Sequence, residues 1–388
     1  MKTSLFFLPS IGRKSEITQG MAGFRSDLYG RMLAELSEQA VLADELGYES
    51  INFTEHHFHI EGIELSNNPV MLDLYVAMQT KRIKVGQLGI VLPAENPIRV
   101  AENIAMLDHM TGGRACAGFA RGYQRRWVDV MAQQTHGIHG AVPGAPKDID
   151  DANRAAFEEC FQIIKKCWTE EMISFEGKYW QIPAPGTPWD LETTDKWGAG
   201  VENGILKQIG VVPKPLQKPY PELFLPFSST ERSIRWCACE GVVAVLPPLH
   251  PKREELLLDV YAEASGKPRG EGVAVLRTLI IADTDSEALA LAEESSNFAR
   301  NAWFEPFGFG RGLEDPDTGV RYSPDEMFTS GHMLIGSPDT VTRQLEAIKE
   351  RLPVDWVFAW CYTGLLTNAV MLRSLESYAT EVLPRAAG

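Results

Sequence analysis

Strand-like apolar runs and amphipathic helical runs alternate along this chain from end to end, and that alternation limits its fold more than any other feature. The strand candidates are Thr3–Leu8, Ser50–Thr54, Lys84–Leu92, Arg114–Ala120, Glu222–Pro226, Val242–Leu246, Val273–Ala282 and Asp355–Tyr362. Between them, apolar spacing predicts helices over Leu28–Leu46, Pro69–Thr80, Pro97–Met110, Asp150–Thr169, Glu231–Glu240, Lys252–Ala264, Ser286–Phe304 and Ser337–Arg351, with Asn368–Leu383 last. Asn96-Pro97 and Ser337-Pro338 are helix openers, and Gly112-Gly113 is a stop. Eight strands, each followed by a helix, predict a single (β/α)8 barrel rather than an open doubly wound sheet. No Gly-rich turn follows Thr3–Leu8, so a dinucleotide-binding start is not expected.

In such barrels the chemistry gathers at the carboxyl ends of the strands. Ser50-Ile51-Asn52-Phe53 runs straight into Thr54-Glu55-His56-His57-Phe58, which places titratable side chains where a buried strand meets its loop. Two later runs also end in glycines and polar groups: Val85–Pro93, and Ala117-Gly118-Phe119-Ala120-Arg121-Gly122. Glu55, His56, His57 and His59 admit a metal reading, since alternation puts His57 and His59 on one side of an extended chain. The first strand supplies no partner histidine, and no later strand end completes a set of three or four donors, so no metal is assigned.

The formal net charge of −15 argues against a phosphate-tracking nucleic-acid binder and favours a protein that takes a small ligand into a cleft. No apolar run approaches the ~20 residues needed to span a bilayer. The opening Met1–Pro9 imitates a signal peptide, but its apolar part is short and Gly12-Arg13-Lys14 follows, so it reads as the first strand. The six cysteines, Cys116, Cys160, Cys167, Cys237, Cys239 and Cys361, have no regular spacing, as expected of reduced thiols in a cytoplasmic enzyme.

The whole of residues 1–388 reads as one barrel domain with insertions after strands 4 and 7, at about 173–217 and 304–332. The first contains a hairpin over Ile173–Ile182 and then a Pro/Gly/Trp-rich loop. The second has no clear period, and the aromatics in and beside it (Trp303, Phe304, Phe307, Phe309, Tyr322 and Phe328) suit a lid or pocket wall.

Five pieces in order carry a family resemblance. They are Glu55-His56-His57-Phe58; Gly89-Ile90-Val91-Leu92-Pro93; and Leu107-Asp108-His109-Met110-Thr111-Gly112-Gly113-Arg114 leading into Gly118-Phe119-Ala120-Arg121-Gly122. Ser228-Ser229-Thr230-Glu231-Arg232-Ser233 and Ile335-Gly336-Ser337-Pro338-Asp339-Thr340-Val341 complete the set. With them the chain resembles the bacterial-luciferase-like flavin monooxygenases over nearly its whole length. Gly177-Lys178-Tyr179-Trp180 and Gly336-Ser337-Pro338-Asp339-Thr340-Val341-Thr342 look similar to the diketocamphane monooxygenases, the type II Baeyer–Villiger members.

The resemblance implies a two-component enzyme. A separate reductase supplies reduced FMN as a dissociable co-substrate, and O2 forms a C4a-peroxyflavin that oxygenates an apolar organic substrate, such as a cyclic ketone or aldehyde. It also implies a homodimer. His56 matches the family's catalytic histidine, and Arg121 and Arg154 match its phosphate arginines, whose guanidinium geometry suits an anion. Ser229, Thr230 and Ser233 straddle a helix start, where phosphate contact and plain N-capping are both open. Leu88-Gly89 matches the bond that is often a non-prolyl cis peptide beside the flavin. Ala120 stands where the luciferases carry a cysteine, so efficient light emission is not expected. Three other readings stay open: a deazaflavin-dependent oxidoreductase on the same barrel end, a non-catalytic flavin-binding protein, and a metal-dependent barrel hydrolase.

Overall fold

The computed structural model describes residues 1–386. All eight expected strands form: β1 (Lys2–Phe7), β2 (Ser50–Phe53), β3 (Lys84–Gln87), β4 (Ala115–Ala120), β5 (Leu223–Leu225), β6 (Val243–Leu246), β7 (Val273–Ile281) and β8 (Trp356–Cys361). They hydrogen-bond in the order β5-β6-β7-β8-β1-β2-β3-β4, and β4 pairs back onto β5, so the sheet closes into a parallel (β/α)8 barrel. The register runs Lys2↔Trp356 to Phe7↔Cys361 between β1 and β8, and Leu223↔Ala117 with Phe224↔Gly118 at the closure. Every residue of β8, Trp-Val-Phe-Ala-Trp-Cys, is buried, as a strand covered on both faces requires.

Backbone contacts divide the chain into two compact units. Met1–Ile90, Cys116–Phe119 and the chain from Leu223 onward make the first, which contains the barrel; Val91–Ala115 and Ala120–Glu222 make the second. Helix starts follow the local chemistry in both. In the second unit the Asn96 side chain accepts from the amides of Ile98 and Arg99 at 3.0 and 3.2 Å, opening the helix Pro97–Met110. The hairpin there pairs Phe175–Glu176 with Gln181–Ile182, and its turn is pinned by Glu159, which accepts from the amides of Lys178, Tyr179 and Trp180 at 2.9, 2.9 and 2.7 Å. Among the described residues no helix is long and apolar enough to cross a membrane.

Four segments differ from the sequence reading. Lys84–Leu92 is not one strand: regular structure stops at Gln87, the Leu88–Gly89 bond is cis, and only Ile90–Val91 returns to the sheet. Ser286–Phe304 is not one helix. It breaks at Ser295, whose hydroxyl donates back to the Leu291 carbonyl at 2.7 Å, and resumes as Ser296–Ala299 and the wide turn Arg300–Phe304. The loop after the hairpin holds a helix, Glu192–Trp197, and a second hairpin, Val201–Glu202 with Ile205–Leu206. Leu334–Gly336 adds a short strand beside β7, in the register Leu279↔Leu334. Runs of two or three residues are too short to show a period, which is why pattern reading passes over them.

Glycines let β3 and β4 approach closely. A Cβ at Gly118 would stand 2.1 Å from the Gln87 carbonyl oxygen, and one at Gly86 would stand 2.3 Å from that of Cys116. Both obstacles are backbone, so neither can swing aside. Gly118→Ala is therefore expected to lower unfolding stability by roughly 3 kcal/mol or more, read from the denaturant midpoint. An unchanged midpoint would show that the strands part without penalty.

Candidate active site

The loop after β2 leaves the barrel and folds back on itself. The His56 amide donates to the Ser66 carbonyl at 2.9 Å, and the Ser66 hydroxyl donates to Thr54 at 2.5 Å. Leu65 and Ile11 tie the loop to the exit of β1: the Leu65 amide donates to Pro9 and the Ile11 amide to Gly62, both at 2.6 Å. Phe58 and Glu64 take left-handed backbone angles, φ 63° and 57°. For non-glycine residues this costs roughly 1–3 kcal/mol each and occurs mainly where the surroundings enforce it.

These turns overturn the alternation expected of His57 and His59. Phe58 reverses the chain, so His59 comes to His56 instead, with ring centroids 5.4 Å apart. His57 turns to Glu55, Nε2 to Oε1 at 3.0 Å. The buried Glu64 carboxylate reaches the other two histidines: Oε2 lies 3.5 Å from His56 Nδ1 and 3.8 Å from His59 Nε2. The same oxygen accepts from Trp303 Nε1 at 2.6 Å. Glu64 and its Trp303 contact have no counterpart in the sequence reading. One donor atom from each of His56, His59 and Glu64 lies within 4.8 Å of the others. The third donor comes from the same loop, which an inspection of strand ends does not examine.

Burial, reinforced by the nearby charges of His59 and His57, holds the His56 imidazole well below the ordinary histidine range. At neutral pH the ring is therefore neutral, the form that accepts a proton. Beside it, aromatic side chains cluster in the same unit. Trp303 lies 5.0 Å from His59 and 5.9 Å from Phe307, and Phe304 lies 5.3 Å from Trp360. Trp360 on β8 packs on Phe6 of β1 at 5.1 Å and on Phe227 at 6.0 Å, and Phe227 meets Phe309 at 5.9 Å. Four of the aromatics expected in a wall thus pack as two pairs, Trp303 with Phe307 at 5.9 Å and Phe304 with Phe309 at 6.2 Å. Tyr322 turns elsewhere, to His250 and His332.

In the second unit Arg121 follows directly on β4. Its Nη2 donates to Asp150, while Nη1 is buried without a hydrogen-bond partner. A buried cationic donor left in that state fits a site for an anion's oxygens. Asn153 holds the backbone in place, its Nδ2 donating to the Arg121 carbonyl at 2.9 Å and to His139 at 3.1 Å. Arg154 is buried in the helix Lys147–Thr169, with Nη1 3.9 Å from Glu158. Ala120 packs against the cluster of Val91, Ala94, Trp127 and Val128. Asp150 and Asn153 also escape sequence reading; a helix start beside an arginine is too common a pattern to single them out.

In the barrel unit, Thr230 caps the helix Glu231–Glu240, accepting from the Ser233 amide at 3.3 Å and donating to its hydroxyl at 3.0 Å. The capping reading of this pair is therefore realised in the structure. Ser229 just before it is exposed.

A closed parallel barrel with a largely buried histidine just past β2 has the design of a (β/α)8 enzyme, whose working groups stand on strand-end loops. Residues 19–355 match the Luciferase-like monooxygenase family, and the chain belongs to it. The 3,6-diketocamphane 1,6-monooxygenase of Pseudomonas putida is 28% identical over 334 residues, covering 81% of this chain and 82% of that protein. The oxygenase component of the flavin-dependent trigonelline monooxygenase of Acinetobacter baylyi is 26% identical over 365 residues, covering 90% and 89%. Among solved structures, the oxygenating constituent of 3,6-diketocamphane monooxygenase from Pseudomonas putida is similar, with a TM-score of 0.73 and 27% identity. The match covers 99% of this chain and 98% of that one; that protein is a type II Baeyer–Villiger monooxygenase in complex with FMN.

Proposed function

We propose that this chain is the oxygenase component of a two-component monooxygenase that uses reduced FMN and O2 to oxygenate an apolar cyclic ketone or aldehyde. The observation that carries the reading is the buried, unpartnered Nη1 of Arg121, on the residue that the family resemblance assigns to the flavin phosphate. Arg121 and Arg154 would hold the phosphate, whereas the Thr230 hydroxyl and the Ser233 amide are engaged in the helix cap. By the resemblance, Leu88-Gly89 at the end of β3 would lie along the flavin ring. Reduced FMN, when bound, supplies the electrons that activate O2.

The chain's own groups bind, orient and move a proton. His56 accepts a proton on its neutral ring and returns it. The half-buried rings of Phe227 and Phe309, backed by the buried rings of Phe6, Phe304 and Trp360, would suit a hydrophobic cyclic substrate. The reading includes a separate flavin reductase as electron donor and assembly as a homodimer.

The test supplies the protein with chemically reduced FMN and 18O2 against a panel of cyclic ketones, camphor-type diketones and aldehydes. One 18O atom is expected in the product, with no oxidation of NADH by the chain alone. No label across the panel would remove the oxygenase reading. Turnover only with a reduced deazaflavin would install that alternative instead.

A further inference from the structure

We infer that Glu64 is the positioning residue for His56: it fixes the ring proton on Nδ1 and so leaves Nε2 as the nitrogen that takes a proton. The inference rests on the reading of His56 as the proton-transfer group and adds to it the residue that sets its tautomer.

A histidine ring can serve as a base only at the nitrogen that lacks a proton, and whatever faces the other nitrogen decides which one that is. Here Nδ1 of His56 lies 3.5 Å from Glu64 Oε2, at the outer limit of hydrogen-bond reach, and catalytic contacts of this kind commonly tighten when substrate binds. A carboxylate accepts and does not donate when ionised, so it favours the proton on the nitrogen it faces. The neighbouring Glu55 faces His57 instead, with Oε1 3.0 Å from His57 Nε2.

Glu64 is itself held from two directions. Trp303 donates to its Oε2 at 2.6 Å, and the ring of Trp303 lies 5.0 Å from that of His59. His59 cannot compete with His56 as a donor while neutral. Its Nδ1 meets the Ile63 carbonyl at 2.5 Å, and a carbonyl only accepts, so the His59 proton sits on Nδ1. Its Nε2, 3.8 Å from Glu64, then carries none. The carboxylate thus faces the Trp303 N–H at 2.6 Å and the His56 Nδ1 at 3.5 Å. The left-handed backbone at Glu64, φ 57°, brings the side chain inward to this position. Trp303 belongs to the turn Arg300–Phe304, so the turn acts on the base through the Glu64 carboxylate.

The same three side chains could instead enclose a divalent cation, since each offers a donor within 4.8 Å of the others. One feature favours the proton: the N–H of Trp303 points at the carboxylate oxygen that faces both histidines, and a donated N–H suits an acceptor shared with another N–H better than one bound to a cation.

The experiment is histidine-selective 15N labelling of the full chain, with long-range 1H–15N correlation at neutral pH and His56 assigned by comparison with His56→Gln. The wild type is expected to show a protonated Nδ1 and an unprotonated Nε2 at His56. Glu64→Leu, which keeps the volume but removes the acceptor, should reverse that pattern, whereas Glu64→Gln, whose amide oxygen still accepts, should keep it. A proton on Nε2 in the wild type overturns the inference, as does a pattern that all three proteins share. If Glu64→Leu does not fold, Trp303→Phe takes its place: loosening the carboxylate should make the two His56 nitrogens converge, and an unchanged spectrum overturns the coupling. Stoichiometric metal by elemental analysis, with His56 signals that move on dialysis against chelator, would overturn it in favour of a cation site. The spectra need no flavin, so a failed tautomer assignment leaves the oxygenase reading standing, and a failed oxygenase reading leaves the tautomer standing.

Discussion

His56→Ala is expected to bind reduced FMN as the wild type does, yet to lose roughly two orders of magnitude or more in product formation, the usual scale for a general acid–base. Binding should survive because the proposed counter-charges for the phosphate are Arg121 and Arg154, whereas burial and its histidine neighbours push His56 toward the neutral ring. Flavin oxidation should then end mostly in hydrogen peroxide, so the ratio of product to peroxide is the quantity to measure. His57→Ala is the control. Its ring is turned to Glu55 at 3.0 Å, so its loss should reduce stability more than coupling. Equal behaviour of the two variants, or full coupling in His56→Ala, would remove His56 from proton transfer.

Arg121→Ala is expected to weaken reduced-FMN binding by about 1.5–3 kcal/mol, or tenfold and beyond in affinity. The structure sharpens this expectation, because one Arg121 amino group is engaged by Asp150 while the other, Nη1, is buried without a partner. Removing the side chain loses a partly exposed ion pair with Asp150, worth little to folding, and a donor with no present bond, so folding stability should change less than affinity does. Anaerobic titration with reduced FMN, alongside a thermal melt, separates the two effects. Unchanged affinity would put the phosphate elsewhere.

Much of this was legible in the sequence because the signals are local and repeated. Parallel strands covered on both faces must be apolar almost throughout, so β8 stands out as an uninterrupted run. Helices announce themselves by period and by caps such as Asn96-Pro97. The failures have the opposite character. Lys84–Leu92 reads as one apolar run, but its middle is taken up by a glycine contact between β3 and β4 that no single-strand pattern reveals. The helix expected through Phe304 breaks because the Ser295 hydroxyl competes for a backbone carbonyl, a choice that periodicity does not register.

The sequence by itself determined the barrel, the strand ends that carry its chemistry, and the individual candidates His56 and Arg121. Each of these follows from a residue type at the end of a recognisable run. Only the tertiary structure decided what surrounds them. Glu64 reaches His56 because two residues in the intervening loop take left-handed angles, and His59 displaces His57 as its neighbour for the same reason. Trp303 reaches Glu64 from 239 residues away along the chain. Such partners are selected by backbone turns and long-range packing, which impose no period on the sequence.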